Sequence, residues 1–535
     1  MRENNYVVFQ KIRINNKMTI MKKGFFIIIA LLVATTSYGQ GEIDAFRFSR
    51  NDLQGTARTQ GMGGAFGALG GDMGAVVINP AGIGVYRSSE VAATLALTNV
   101  NIETNGINSQ GKNKFNFDNI SYVAYYPRAG NSAQSINFGF NYNRLKNFDR
   151  NYSGFSGGRT TSLTDYIVNF TNGISSAVLG APNRYSTSAP WLGLLAWNSY
   201  LINQKEGSNN LYESVLKDGE SVDSEIKSSE KGYIEAYDFT VGANFSDRFY
   251  FGLTFSLTDV FYSLSSTYWE DFQRGGGFAL DNYLETSGSG YQLKVGAIYR
   301  PIDQLRFAVA YHSPTWYSLT DIYQATMTPY DIYYDDESGR QQLAGPERTP
   351  DISENPHTSY RLQTPYGWTF SAAAIIGTNA IVSMDYEIKD YTSMNLKNSM
   401  GFNSDKDNRY IDEDFKMAST VRLGLEYKFT PQLSGRLGYA LMNSPYTDNL
   451  KKAQVEAMTS GTVPQYTIEG DPKFITAGLG YRFTPQFYVD LAFVSKTQTD
   501  DLYYFSSMPD VGLISESVAY KNKSYRGLVT LGYKF

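Results

Sequence analysis

From about residue 90 to Phe535, the connectors of this chain alternate between short and long. Short turns lie at 127–134, 246–248, 300–304, 377–379, 430–432 and 484–486, with long polar excursions between them, as at 146–232, 314–359 and 444–470. The intervening segments switch between apolar and polar at nearly every step. Over 135–143, Ile136, Phe138, Phe140 and Tyr142 share one face, opposite Asn137, Gly139, Asn141 and Asn143. Over 421–429, Val421, Leu423, Leu425, Tyr427 and Phe429 oppose Arg422, Gly424, Glu426 and Lys428. A period of two marks a strand whose two faces meet different surroundings. A soluble sheet shows it too, but here it recurs along the chain with no competing helical period. Short turns at one end, long loops at the other and dyad alternation predict an all-β fold, a transmembrane antiparallel β-barrel.

Candidate strands fall at 90–101, 116–126, 135–144, 234–245, 249–267, 288–299, 305–313, 360–376, 380–391, 415–429, 433–443, 474–483, 487–495 and 525–535. That is about 14 strands, an even count that leaves both barrel ends on the short-turn side, the periplasm. Most reach the length of about 9–11 residues that a tilted strand needs to cross hydrocarbon. The 42 Tyr and 32 Phe suit membrane interfaces, where a ring is buried and a hydroxyl stays wet. A mean hydropathy of −0.34 is too polar for a bundle of membrane helices, yet fits a barrel in which every second residue meets lipid.

The net charge of −5 gives no sign of a nucleic-acid surface. With no Cys and two His, His312 and His357, thiolate chemistry is excluded and no metal-ligand spacing exists. No nucleophile–base constellation is visible, so the expectation is a non-enzyme with neither cofactor nor metal.

Lys22 and Lys23 precede an apolar run at 24–33, followed by small residues to Gly39. This reads as a secretory signal peptide cleaved after Gly39, with Met21 as the expected start and 1–39 as leader and signal. At the other end, Tyr525, Val529, Leu531, Tyr533 and Phe535 share a face. An aromatic last residue on such a strand resembles the C-terminal signal of outer-membrane barrels, with Tyr533 and Phe535 read by the barrel assembly machinery.

Between these ends, 40–88 is rich in glycine and small residues and has no period of two. Its glycines do not make a phosphate loop, because no Gly-Lys-Ser/Thr follows. Small residues let backbone approach a barrel wall closely. Asp72 followed by small and apolar residues, then Asn79-Pro80-Ala81-Gly82-Ile83, resembles the N-terminal hatch of the FadL/TodX family, outer-membrane transporters of long-chain fatty acids and other hydrophobic compounds. The Tyr-rich strands and Gln40 are similar to those of Bacteroidetes-type members, some of which are labelled haemin receptors. His312 could face the lumen, but a lone His offers little for haem.

The resemblance implies a hatch over 40–88 plugging a barrel over 89–535, in the outer membrane of a Gram-negative bacterium. It implies passive uptake of a hydrophobic small molecule, a long-chain fatty acid first among them, by a monomer surrounded by outer-membrane lipid. Asp72, Asn79, Pro80, Ala81 and Gly82 are the candidate gating residues, with a simple hatch-to-barrel turn as the alternative. Trp191, Leu192, Leu194, Leu195 and Trp197 make a dense apolar cluster in the longest loop. Such a cluster belongs either to a ligand-capturing groove or to the loop's own helical core. Two acidic tracts, 335–337 and 412–414, read as solvated loop faces. The competing functional class is a structural or shuttle subunit of an outer-membrane secretion assembly.

Overall fold

The computed structural model describes residues 41–535 except 105–106, 109–110, 129–132, 218, 336–338 and 352–356. The expected leader and signal peptide, Gln40, and Asp336 and Glu337 of the first acidic tract lie outside the described residues.

Fourteen antiparallel strands close into a barrel. They are β1 (Glu90–Thr104), β2 (Lys112–Pro127), β3 (Ser135–Asn147, continued by Arg150–Arg159), β4 (Val222–Phe245) and β5 (Phe249–Phe272). Then come β6 (Gly277–Ile302), β7 (Leu305–His312, then Trp316–Tyr330), β8 (Thr358–Gln363, then Gly367–Ile376) and β9 (Ala380–Asp390, then Asn395–Asn398). The last five are β10 (Met417–Lys428), β11 (Leu433–Met442), β12 (Lys473–Arg482), β13 (Phe487–Tyr503) and β14 (Ser517–Lys534). β1 pairs with β14 from Glu90↔Lys534 to Thr104↔Tyr520, so the sheet has no free edge there. Ser89 and Phe535 exchange backbone hydrogen bonds of 3.1 and 3.0 Å, tying the last residue into the seam.

The dyad pattern maps onto lipid and lumen. Phe138, Phe239, Phe251, Leu253, Leu425 and Leu491 are exposed on the outer face. Asn137, Asn141, Asn143, Asp238 and Thr254 are buried on the inner one. The inner polar groups bond to one another across strands, as Asn119 does to Asn141 at 2.6 Å and Thr240 to Thr254 at 2.7 Å. At the 246–248 turn, Ser246 and Asp247 have φ of 55° and 56°, the left-handed pair that a two-residue hairpin needs.

The strands run further than the apolar alternation indicates. β4, β5 and β6 have 24, 24 and 26 residues. The excursion expected at 146–232 is therefore strand up to Arg159 and again from Val222, and the one at 314–359 contains the strand Trp316–Tyr330. Outside the bilayer neither face meets lipid, so the sequence loses its apolar dyad while the ladder continues. β7, β8 and β9 all break at one level, at Pro314, Pro365 and 391–394. Proline has no N–H for the ladder. Aromatic pairs flank the break, the exposed Tyr291 on the half-buried Trp316 at 5.3 Å and the exposed Trp368 on the half-buried Tyr311 at 4.8 Å.

Inside lies the hatch, with α1 (Glu42–Arg47), α2 (Ala57–Gly61), α3 (Met73–Ile78) and a 3-10 turn (Pro80–Val85). Phe46 and Phe48 are buried in an apolar cluster in the outer half of the lumen. Phe46 packs on Tyr446 (4.8 Å), Tyr391 (5.6 Å) and Phe415 (5.7 Å). Further out, 160–221 folds over the barrel with helices α4 (Leu163–Thr171) and α5 (Trp191–Asn198).

Candidate functional site

The sequence from Thr56 to Gly84 builds the hatch around two side chains, Asp72 and Asn79. Asp72 caps α3: its Oδ1 accepts from Gly74 N at 2.8 Å and from the Thr56 and Thr59 hydroxyls at 2.8 and 3.0 Å. One carboxylate oxygen thus joins α2 to α3 (this capping role suits a short polar side chain at a helix start). Asn79 is 1% exposed. Its Oδ1 accepts from Ala81 N at 3.0 Å, and its Nδ2 donates to Gly67 O at 2.9 Å and Ala297 O at 3.3 Å. The last bond reaches the barrel wall. Pro80 starts the 3-10 turn, where its missing N–H costs nothing, and Ala81 and Gly82 are buried within it.

The wall is shaped to receive this turn. Gly242, Gly252 and Gly296 sit side by side on β4, β5 and β6. A Cβ would lie 2.4 Å from Ile83 at Gly242, 2.2 Å from the Pro80 carbonyl group at Gly252 and 1.8 Å from Asn79 Oδ1 at Gly296. Three inward glycines at one register were the available signal for this cradle. It is missed when strands are read one at a time.

Elsewhere the polar lumen grips the hatch. Arg58 donates twice to Glu426 at 3.0 Å, Arg436 joins Glu426 to Asp490 at 2.7 and 2.6 Å, and Asp385 accepts from Phe66 N and Gly67 N at 3.0 Å. Arg526 pairs with Asp118 and reaches Leu53 O. His312 faces the lumen, its Nε2 2.9 Å from Ile78 O, whereas His357 is exposed.

The wall opens between β2 and β3. β2 and β3 pair from Pro127↔Ser135 only as far as Asn119↔Asn143. Beyond that, 112–118 pairs with β1 alone, and Arg144 onward pairs with β4 alone. The outer part of β3 turns inward, so that Tyr152 stacks on Tyr520 of the lumen face of β14 at 5.6 Å. Side chains bridge the opening instead of backbone: Lys112 and Lys114 pair with Asp149, and Arg144 Nη1 donates to Asn116 at 2.9 Å. A strand pair held by side chains alone opens at far lower cost than a hydrogen-bonded ladder.

Behind this opening is a lumen cavity of ≈ 100 Å³, bounded by the hatch segment around Arg50 and Leu53, by β3 and by β13–β14. Its lining carries seven cations (Arg47, Arg50, Arg144, Lys146, Arg150, Lys496, Arg526) and five carboxylates (Asp52, Asp118, Asp149, Glu230, Glu469). The excess of positive charge favours an anion. Burial pushes the Asp52 carboxyl up, but Lys496 beside it at 2.8 Å holds it below its usual range.

The structure places the remaining sequence candidates as follows. Trp191–Asn198 is the buried helix α5: Leu192 and Leu195 face the cluster around Tyr268 and Phe278, and Leu194 faces Leu179 and Tyr212. Trp191 and Trp197 pack on Tyr323 and Tyr212, at 5.0 and 5.4 Å. Tyr533 and Phe535 face outward at the seam. Asp412, Glu413 and Asp414 end the helix α6 (Asp405–Asp414), where Asp414 is buried and the other two are exposed.

Residues 278–503 match the family described as outer membrane protein transport protein (OMPP1/FadL/TodX). A solved FadL homologue from Pseudomonas aeruginosa is similar with a TM-score of 0.52 at 13% identity, covering 91% of this chain and 99% of that one. The toluene transporters TodX of P. putida and TbuX of Ralstonia pickettii align at TM-scores of 0.46, with 13% and 14% identity, each over 90% of this chain and 99% of theirs. No curated protein sequence matches the chain. The likeness of fold rests on the P. aeruginosa structure. With the family match across β6–β13, a closed barrel and a hatch in its lumen, the chain resembles the FadL/TodX transport proteins of the Gram-negative outer membrane.

Proposed function

We propose that this protein is a passive channel that takes hydrophobic small molecules from outside the cell into the outer membrane. The observation that carries this reading is the opening between β2 and β3, beside a lumen cavity and at a place where only side chains close the wall. In that scheme a ligand first meets the apolar cluster of the outer lumen, now filled by Phe46 and Phe48. It displaces α1, reaches the cavity behind Arg144 and Asp149, and leaves sideways into lipid without crossing the polar periplasmic half. The hatch residues Asp72 and Asn79–Gly82 form the hinge that keeps the lower half shut. Transfer down a concentration gradient into hydrocarbon needs no energy-coupling partner, because burial of apolar surface drives it. The net positive cavity favours an amphiphile with an anionic head, and a long-chain fatty acid is the preferred cargo.

The chain has no Cys, which permits a direct test. Asn116→Cys and Arg144→Cys, joined by a cleavable bis-thiol reagent, lock the opening. Uptake of a radiolabelled long-chain fatty acid is expected to stop on cross-linking and to recover on cleavage. Undiminished uptake through the locked wall rules out the lateral route. Absence of uptake in the unmodified protein, with stable co-purification of a secretion pore, favours the secretion-subunit alternative.

A further inference from the structure

An apolar depression lies on the opposite side of the wall from the lumen, across β10–β13. Neighbouring positions on the lipid face form two rows. One runs Leu425, Leu437, Ala477, Phe493, and the next Tyr427, Gly435, Leu479, Leu491. Each row has one small residue, Ala477 in the first and Gly435 in the second, and they sit on adjacent strands. Together they open a groove of ≈ 680 Å³ whose floor is backbone and whose walls are leucine and aromatic rings.

The wall is one backbone thick here. On the lumen side, a Cβ at Gly438 would lie 2.1 Å from Gly63 N, and one at Gly61 3.3 Å from Gly478 Cα. Hatch and wall therefore touch without intervening side chains, and on the outer side the Phe429 ring lies over Gly435, 2.7 Å from where a Cβ would sit, and walls the depression at that end while the part over Ala477 stays open. Barrel closure puts the groove in hydrocarbon. An empty groove of this size would forfeit dispersion contacts along its whole lining. The occupant is therefore a hydrocarbon chain. Leu425 is three residues from the periplasmic end of β10 at Lys428 and Leu437 four from the periplasmic end of β11 at Leu433, which sets the groove in the periplasmic leaflet. Tyr427, Phe429 and Tyr481 around its lower rim suit the interface where a chain joins its head group.

We propose that this groove is a binding site for one acyl chain of a periplasmic-leaflet phospholipid, which backs the wall where the hatch presses on it. The site is separate from the β2–β3 opening and does not depend on the transport reading. In the test, the full-length protein is extracted in mild detergent and examined by native mass spectrometry. The unmodified protein is expected to retain one phospholipid. Ala477→Trp, which fills the groove from the lipid side, is expected to lose it, while Leu531→Trp, on the lipid face of β14, retains it. Heat-modifiable gel migration checks folding, and Leu479→Trp serves if Ala477→Trp fails to assemble. Retention of the lipid in the filled variant overturns the proposal. So does an unmodified protein with no adduct, a free fatty acid as the sole adduct, or a second protein copy over the groove.

Discussion

Asn79→Ala removes a side chain that makes three hydrogen bonds, to Ala81 N, Gly67 O and Ala297 O, at a site 1% exposed. A net value of about 1 kcal/mol per bond gives about 3 kcal/mol. At about 1.4 kcal/mol per factor of ten, the hatch should leave its glycine cradle about a hundredfold more often. The barrel ladder includes none of these bonds, so its own stability should not change. Native-state hydrogen exchange in detergent reads both quantities. The amides of 73–85 should lose about two orders of magnitude of protection, while those of β4 to β6 keep theirs. Uptake of a labelled fatty acid at equal surface expression then reports whether loosening the hatch alters transport. Unchanged protection at 73–85 would refute the reasoning, because it would mean that Pro80 and the cradle hold the turn without Asn79.

Asp149→Asn removes the shared partner of Lys112 and Lys114; faster fatty-acid uptake is expected, and an unchanged rate would show that the bridge does not restrain the opening. Gly438→Ala sets a Cβ 2.1 Å from Gly63 N and 2.3 Å from Met62 C, so the heat-modifiable folded band should be lost, whereas Gly527→Ala, with nothing within 4 Å, should assemble normally. Burial, then Glu413, pushes Asp414 up to about 7, and burial raises Glu42 well above the usual carboxylate range. These carboxyls keep their protons in the folded state, so the contact between α1 and α6 is fully stabilised below about pH 4 and weakens as pH rises through about 7. Hydrogen exchange of 42–48, corrected for its intrinsic pH dependence, should accelerate over that range, and Asp414→Asn should flatten the change; exchange that slows with rising pH would reverse the assignment.

The membrane-crossing strands were legible because lipid and lumen are opposite solvents, and a residue in each must alternate with period two. Each of the fourteen candidate strands coincides with a barrel strand over its membrane part, and the last, 525–535, closes against β1. Extensions such as Trp316–Tyr330 were not legible, since outside the bilayer both faces of a strand meet water or protein. The apolar run at 191–197 signalled burial, but residue types could not say that Leu192 and Leu194 would face different clusters.

Asp72 and the Asn79–Gly82 motif stood out as local chemistry, a capping carboxylate and a turn before a proline. Their partners could not be found locally, because Ala297 is 218 residues from Asn79 and Glu426 is 368 from Arg58. Barrel class and compartment were thus legible in the sequence through solvent periodicity, and the hatch through its small-residue content and its resemblance to a known family. The glycine cradle, the charge-lined cavity and the opening at Asn119↔Asn143 were decided by tertiary structure, because each is made where distant strands meet and a one-dimensional pattern has no term for who the neighbour is.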